Sequence, residues 1–144
     1  RQAPNSPIIR NELCLTLGLL ATRPGGTGEE AKALYEETLR VDPKDFWALY
    51  NLEVMARGQN QPELAAEYIR RGLEAYPGSA MFLAMRGRQR GMAGDANGAC
   101  EDLAAAVKVL PKRADFWLIY ADFLDRDGRG EEARLARSQA DALQ

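Results

Sequence analysis

Residues 29–43 read EEAKALYEETLRVDP, and this stretch decides the fold. Ala31, Leu34, Tyr35, Thr38 and Leu39 fall at the spacing that places them on one helical face. Glu29 and Glu30 sit where the positive end of a helix dipole favours carboxylates. Pro43 follows at the point where a helix can no longer continue. The same arrangement then returns: Pro43, Pro77 and Pro111 are evenly spaced, and Ala31, Ala65, Ala99 and Ala133 keep the same interval. A fixed period of about 34 residues means one supersecondary unit repeated side by side. Each unit leaves an apolar face that only a neighbouring unit can cover, so such units stack.

Counterparts of the 29–43 helix begin near Pro62, Ala96 and Gly130. They carry Leu64, Ala65, Ile69 and Leu73, then Cys100, Leu103, Ala106 and Val107, then Leu135, Ala136, Ala140 and Leu143. Pro62 suits the first helical turn, where its missing N–H costs nothing. The first helix of each pair is expected over 8–22, 45–57, 79–92 and 114–126. Glycine-bearing turns join the two helices of a pair at Gly25-Gly26-Thr27-Gly28, at Gly58 to Gln61, at Gly94-Asp95 and at Gly128-Arg129-Gly130. β-rich alternating runs are absent from the sequence. The reading is all-α, with eight antiparallel helices in four hairpins. Residues 1–7, with Pro4 and Pro7, read as linker. Residues 8–144 read as a single domain of repeats at approximately 8–43, 44–77, 78–111 and 112–144.

The pattern resembles the tetratricopeptide repeat, a helix–turn–helix of about 34 residues near W-x2-L-G-x2-Y…A-x3-F…P. The 112–144 repeat offers Trp117-x2-Tyr120-Ala121-x2-Leu124, Gly128 and Ala133. The 78–111 repeat offers Leu83-x2-Arg86-Gly87-x2-Arg90, Gly94, Ala99-x3-Leu103 and Pro111, with Arg90 where the pattern has an apolar residue. The 8–43 repeat offers Cys14-x2-Leu17-Gly18-x2-Ala21, Gly25, Ala31-x3-Tyr35 and Pro43, with one extra turn residue. The 44–77 repeat admits two frames. One follows the tryptophan, Trp47-x2-Tyr50-Asn51-x2-Val54, aligns Asp45-Phe46-Trp47 with Asp115-Phe116-Trp117, and needs two extra residues after Gly58. The other counts strictly from Pro43, puts Leu49 and Leu52 in the core and places Glu53 in a small-residue slot. Burying that carboxylate without a partner is costly, so the tryptophan frame is preferred. The resemblance implies a right-handed α-solenoid. In the last helix Arg137 takes the slot of Tyr35, Ile69 and Leu103, the polar outer face expected of a terminal repeat.

Composition narrows the function classes. The 144 residues are 46% hydrophobic and 28% charged, with 19 basic and 21 acidic side chains and a net charge of −2. That balance gives no global pull toward nucleic acid or an anionic membrane, and no apolar run is long enough to span a bilayer. There is no histidine, so Ser-His-Asp and Cys-His sets are impossible. Gly25 to Gly28 lacks the G-K-[S/T] of a phosphate loop and reads as a turn. Cys14 and Cys100 lie on different predicted helices, form no Cys-x-x-Cys pair and read as buried apolar side chains. No cofactor, metal or catalytic set is expected. Unpaired thiols lean toward a reducing, cytoplasmic compartment. The chain opens at Arg1 without an initiator Met or signal-peptide pattern and reads as a segment of a longer protein, which leaves a periplasmic location open.

The expected activity is binding, not catalysis. In the family the first helices line a concave groove that receives an extended peptide or a partner helix. On the tryptophan frame that groove exposes Leu49, Leu52, Met81, Ala84, Met85, Leu118 and Ile119, bordered by Arg88, Asp115 and Asp122. Its Leu and Met content implies an apolar protein or peptide ligand, because thioethers adapt to varied surfaces. Burial between adjacent first helices is the competing reading of the same residues. The carboxylate clamp of chaperone cofactors is not carried over, since the inner slots hold Leu15, Thr16, Leu49, Met81 and Met85. Arg88 and Asp122, one repeat apart, read as an inter-repeat ion pair. Glu36, Glu37, Glu101 and Asp102 read as outward and solvated. The alternative function is a self-associating structural repeat, through a groove or through Ile9, Leu13, Leu17 and Leu20 on the first hairpin.

Overall fold

The computed structural model describes residues 28–144. Among them every regular element is an α-helix, in two compact units, one ending at Ala75 and the other spanning Tyr76–Gln144. The expected linker at 1–7, the helix at 8–22 and Cys14 lie outside the described residues. The described part of the first unit holds α1 (Gly28–Val41), α2 (Phe46–Gly58) and α3 (Pro62–Ala75). The second unit holds α4 (Ala80–Met92), α5 (Ala96–Val109), α6 (Ala114–Arg126) and α7 (Gly130–Ala142). Consecutive helices within each unit pack on one another, and α4 also touches α6.

Local chemistry sets the boundaries. The Asp45 carboxylate accepts from the Ala48 amide at 2.8 Å and caps α2. Ser79 caps α4 through the Phe82 amide, and Asp95 caps α5 through the Gly98 amide at 2.8 Å. Such caps satisfy amides that a helix start leaves without an intrahelical acceptor. The turns after α2, α4 and α6 are one motif used three times. Gln61, Asp95 and Arg129 donate their amides back to the carbonyls of Ala56, Arg90 and Leu124, at 2.9, 2.9 and 2.8 Å. The residue before each donor has positive φ: Asn60 at 56°, Gly94 at 96° and Gly128 at 77°. This is the left-handed helix stop that glycine adopts freely and asparagine tolerates.

Asn60, Gly94 and Gly128 are evenly spaced, at the interval that separates Pro43, Pro77 and Pro111, so the period is strict and no extra residues follow Gly58. The tryptophan frame for the 44–77 repeat is therefore corrected to the strict one. Leu49 and Leu52 are buried in the core, whereas Trp47, Tyr50, Asn51 and Val54 are half-buried. Glu53, the residue whose burial argued against this frame, is only 2% exposed. Its Oε1 accepts from Arg57 Nε at 3.3 Å, one turn further along α2. The objection assumed a carboxylate without a partner, and the helix itself supplies one.

The recurring alanines, Ala31, Ala65, Ala99 and Ala133, are buried, as are Tyr35, Ile69 and Leu103 four residues beyond the first three. Close approach explains the small residues. A Cβ on Gly87 would stand 3.1 Å from the Ala99 carbonyl oxygen and from Leu103 Cγ, so α4 and α5 approach closely there. In the second unit one core gathers Ala84, Leu103, Val107, Phe116, Ala121 and Leu124. Each such leucine or phenylalanine contributes roughly 1.5–3 kcal/mol by leaving water. Arg137, in the slot of Tyr35, Ile69 and Leu103, is exposed and holds Asp125 at 2.5 Å and Asp122 at 3.5 Å.

Asp102 is a second correction. Expected outward, it is 4% exposed and faces α4. Arg86 grips it with two hydrogen bonds, Nε at 2.9 Å and Nη2 at 2.7 Å, and Arg90 reaches it at 3.4 Å. Arg90 also binds Asp95 at 2.8 Å. Arg86 and Arg90 share one face of α4 because they are four residues apart. The apparent misfit of Arg90 in the repeat pattern is thus half of an ion network. The hydrogen bonds that Arg86 itself donates to Asp102 hold its guanidinium above the ordinary pKa, against the opposing effect of burial.

Candidate partner-binding face

Only part of the expected groove set is available at the surface. Leu49, Leu52 and Ala84 are buried, and these three are withdrawn from it. Met81, Met85, Arg88 and Ile119 are half-buried, whereas Asp115, Leu118 and Asp122 are exposed. These seven all belong to the second unit. Met81, Met85 and Arg88 are spaced four and three apart on α4, and Asp115, Leu118, Ile119 and Asp122 repeat that spacing on α6. Helical geometry therefore gives each helix one continuous stripe. Met81 and Ile119 also pack on the core of the unit, which fixes the floor of the stripe.

The charges along this face are unequal in their engagement. Arg113 binds Asp115 in bidentate fashion, at 2.8 and 2.6 Å, and places its third nitrogen 3.5 Å from Met81 Sδ. Its guanidinium also lies 4.5 Å from the centre of the Phe116 ring. The hydrogen bond from Arg113 is the main cause that holds Asp115 below the usual carboxylate range, with burial opposing it. Asp122 is engaged by Arg137, not by Arg88 as the repeat spacing suggested. Among the described residues Arg88 makes no ion pair.

In the first unit the slots equivalent to Met81, Ala84, Met85 and Arg88 hold Trp47, Tyr50, Asn51 and Val54. Sequence reasoning on the tryptophan frame read these as core. The signal that places them otherwise is the strict spacing of Asn60 from Gly94. Trp47 and Tyr50 meet edge to face at 5.8 Å, and the Asn51 amide donates to the Trp47 carbonyl at 2.8 Å. The hydrophobic alternative site at Ile9, Leu13, Leu17 and Leu20 lies outside the described residues.

No group of three or more His, Cys, Asp or Glu residues is disposed to hold a metal ion among the described residues. No described helix is long and apolar enough to cross a membrane. Cys100 is a free, buried thiol, and burial pushes its pKa up, away from the reactive thiolate.

Comparison with known proteins agrees with this architecture. The family model of the tetratricopeptide repeat matches residues 26–80. Among solved structures, a MamA double mutant of strain RS-1 superposes with a TM-score of 0.74 at 18% identity, covering 99% of this chain and 78% of that one. A MamA fragment from Desulfovibrio magneticus RS-1 gives 0.72 at 18% identity, covering 96% and 76%. A further MamA crystal structure gives 0.69 at 20% identity, covering 79% and 67%. These likenesses are of fold. A search of curated proteins found no match. The family model thus places a tetratricopeptide repeat at residues 26–80, and the same period of paired helices continues through the rest of the described chain.

Proposed function

We propose that the chain is a non-enzymatic interaction module that binds a segment of another protein across the α4–α6 face of its second unit. Tetratricopeptide repeats form a protein-interaction fold, and the exposure pattern of these two helices favours the same use here. The observation that carries the reading is Leu118. It is 40% exposed, beside half-buried Met85 and Ile119, on a helix whose other face is fully packed. Clustered apolar side chains of this kind mark interaction surfaces more often than solvated ones. In this reading Met81, Met85, Leu118 and Ile119 supply apolar burial, and Arg88, Asp115 and Asp122 border it. The Trp47–Tyr50 stripe is the corresponding face of the first unit.

The test is a random peptide library displayed on phage and selected on the immobilised full chain. Selected peptides should bind the parent protein and lose binding to Met85→Glu, with far-UV circular dichroism and melting temperature unchanged. If Met85→Glu unfolds the protein, Met85 is core and the reading fails.

A further inference from the structure

Charge on the α4–α6 face is unbalanced in one direction, and the imbalance states what the partner must bring. Both aspartates of the face already have arginine partners: Asp115 is held by Arg113, and Asp122 by Arg137. The cations of the same stripe do not have carboxylates. Arg88, half-buried, and Arg126, two turns after Ile119, have no carboxylate oxygen within 4.0 Å among the described residues. Arg126 instead lies over the Phe123 ring at 5.0 Å from its centre. The contrast with the rest of the chain is informative. Arg40, Arg57, Arg70, Arg86, Arg90, Arg113, Arg129, Arg134 and Arg137 all find carboxylates, and among the other described arginines Arg71 alone also lacks one, its guanidinium donating to the Pro43 carbonyl at 3.2 Å.

Arg88 lies three residues after Met85 and four before Met92, so it interrupts an apolar stripe and does not end it. Met92 is 72% exposed, the most exposed large apolar side chain among the described residues. A guanidinium between two thioethers is poorly served by water once a partner covers the methionines. Desolvating it without a counter-charge would cost more than the apolar contact returns. The carboxylate that relieves this must come with the partner.

We infer that the α4–α6 face takes an internal segment of a partner protein in which apolar side chains flank an aspartate or glutamate, its carboxylate paired with Arg88. An internal side chain fits better than a chain terminus, because apolar surface continues on both sides of Arg88 and the segment must run past it. This inference rests on the proposed binding face, and its own content is the acidic residue. Planar guanidinium and carboxylate form two parallel hydrogen bonds, which gives register as well as attraction.

The experiment uses peptides selected on the full chain by phage display. Selected sequences should be enriched in Asp or Glu with apolar neighbours, and affinity should fall with added salt. Replacing that acid by Gln or Asn, or Arg88→Met in the protein, should each weaken binding about tenfold, while the two changes together cost little more than either alone. Arg88→Glu should prefer the peptide carrying Lys at the acidic position, and this arm holds even if one variant alters affinity for another reason. Peptides that need Met85 yet show no acidic enrichment and bind Arg88→Met unchanged would overturn the acidic partner and leave the face standing. If the library yields no binder, or binders indifferent to Met85, both the face and the acidic partner fall. Selection of carboxy-terminal carboxylates only, or displacement of the peptides by phosphate, would also overturn the inference.

Discussion

Replacing Arg86 by Leu tests the main energetic claim about the second unit, that a buried ion pair stands where the first unit has an apolar one. The slots of Arg86 and Asp102 are occupied one repeat earlier by Leu52 and Tyr68, both buried. Asp102 has 5% of its side chain exposed, whereas Arg86 has 43%, so the two partners are not equally dependent on each other. Arg86→Leu leaves the carboxylate buried with only Arg90 at 3.4 Å. Breaking a buried pair from one side costs about 3–5 kcal/mol. The remaining arginine reduces that to about 2–3 kcal/mol, because hydrogen bonds to charged groups contribute roughly 1.5–3 kcal/mol each. Asp102→Tyr costs less, about 1–2 kcal/mol, because both arginines can turn to solvent. The double variant Arg86→Leu/Asp102→Tyr restores the apolar pair of the first unit and should return to within about 1 kcal/mol of the parent. Urea unfolding of the four proteins, followed by circular dichroism, closes the cycle. Additive losses, or a neutral Arg86→Leu, would refute the assignment of Asp102 as a buried charge that depends on Arg86.

Two further perturbations separate backbone from packing and charge. Gly91→Ala would place a methyl group in the Phe123 ring, so overpacking of about 1–3 kcal/mol exceeds the gain in helix propensity of about 1 kcal/mol, and the protein should lose stability. Gly58→Ala, with no neighbouring atom within 4 Å of the new Cβ, should instead raise stability by about 0.5 kcal/mol in the same melts. The Gly98 amide and the Arg90 guanidinium hold Asp95 below the usual carboxylate range. A depressed folded pKa contributes stability above the unfolded value that fades as pH falls through the folded one. Unfolding measured from about pH 5 down to about pH 2 should therefore show a shallower pH dependence for Asp95→Asn, and an unchanged slope would contradict the assignment.

Much of the fold was legible because helix period and punctuation are local. Pro62, Ala96 and Gly130 were read as helix starts, and these helices begin there. The register of the 44–77 repeat was not legible in the same way. Two tryptophans preceded by Asp-Phe invited an alignment of Trp47 with Trp117, yet these residues occupy different faces of their helices. The turn residue was the better guide, but asparagine at position 60 does not announce a positive φ as glycine does. The burial of Glu53 and Asp102 was missed for a related reason. Residue type alone predicts a solvated carboxylate, whereas burial depends on which cation another turn or another helix brings within reach. The binding face inherits these limits: Leu49 and Leu52 left it with the frame, and Asp122 proved to be engaged by Arg137, whose polarity had been legible but whose reach had not.

The Arg86–Asp102 pair also bears on how a repetitive chain finds its own partner helix. Near-identical hairpins can dock on the wrong neighbour while folding, since each offers a similar apolar stripe. A mispaired α3 would meet Arg86 with Tyr68, and a mispaired α5 would bring Asp102 against Leu52, stranding a charge in either case. The ion pair thus acts as an address label that distinguishes one hairpin from the next. The double variant should be nearly as stable as the parent but refold with a lower yield of native protein, and equal yields would remove this role. Stability and correct pairing would then be seen to rest on different atoms of the same contact.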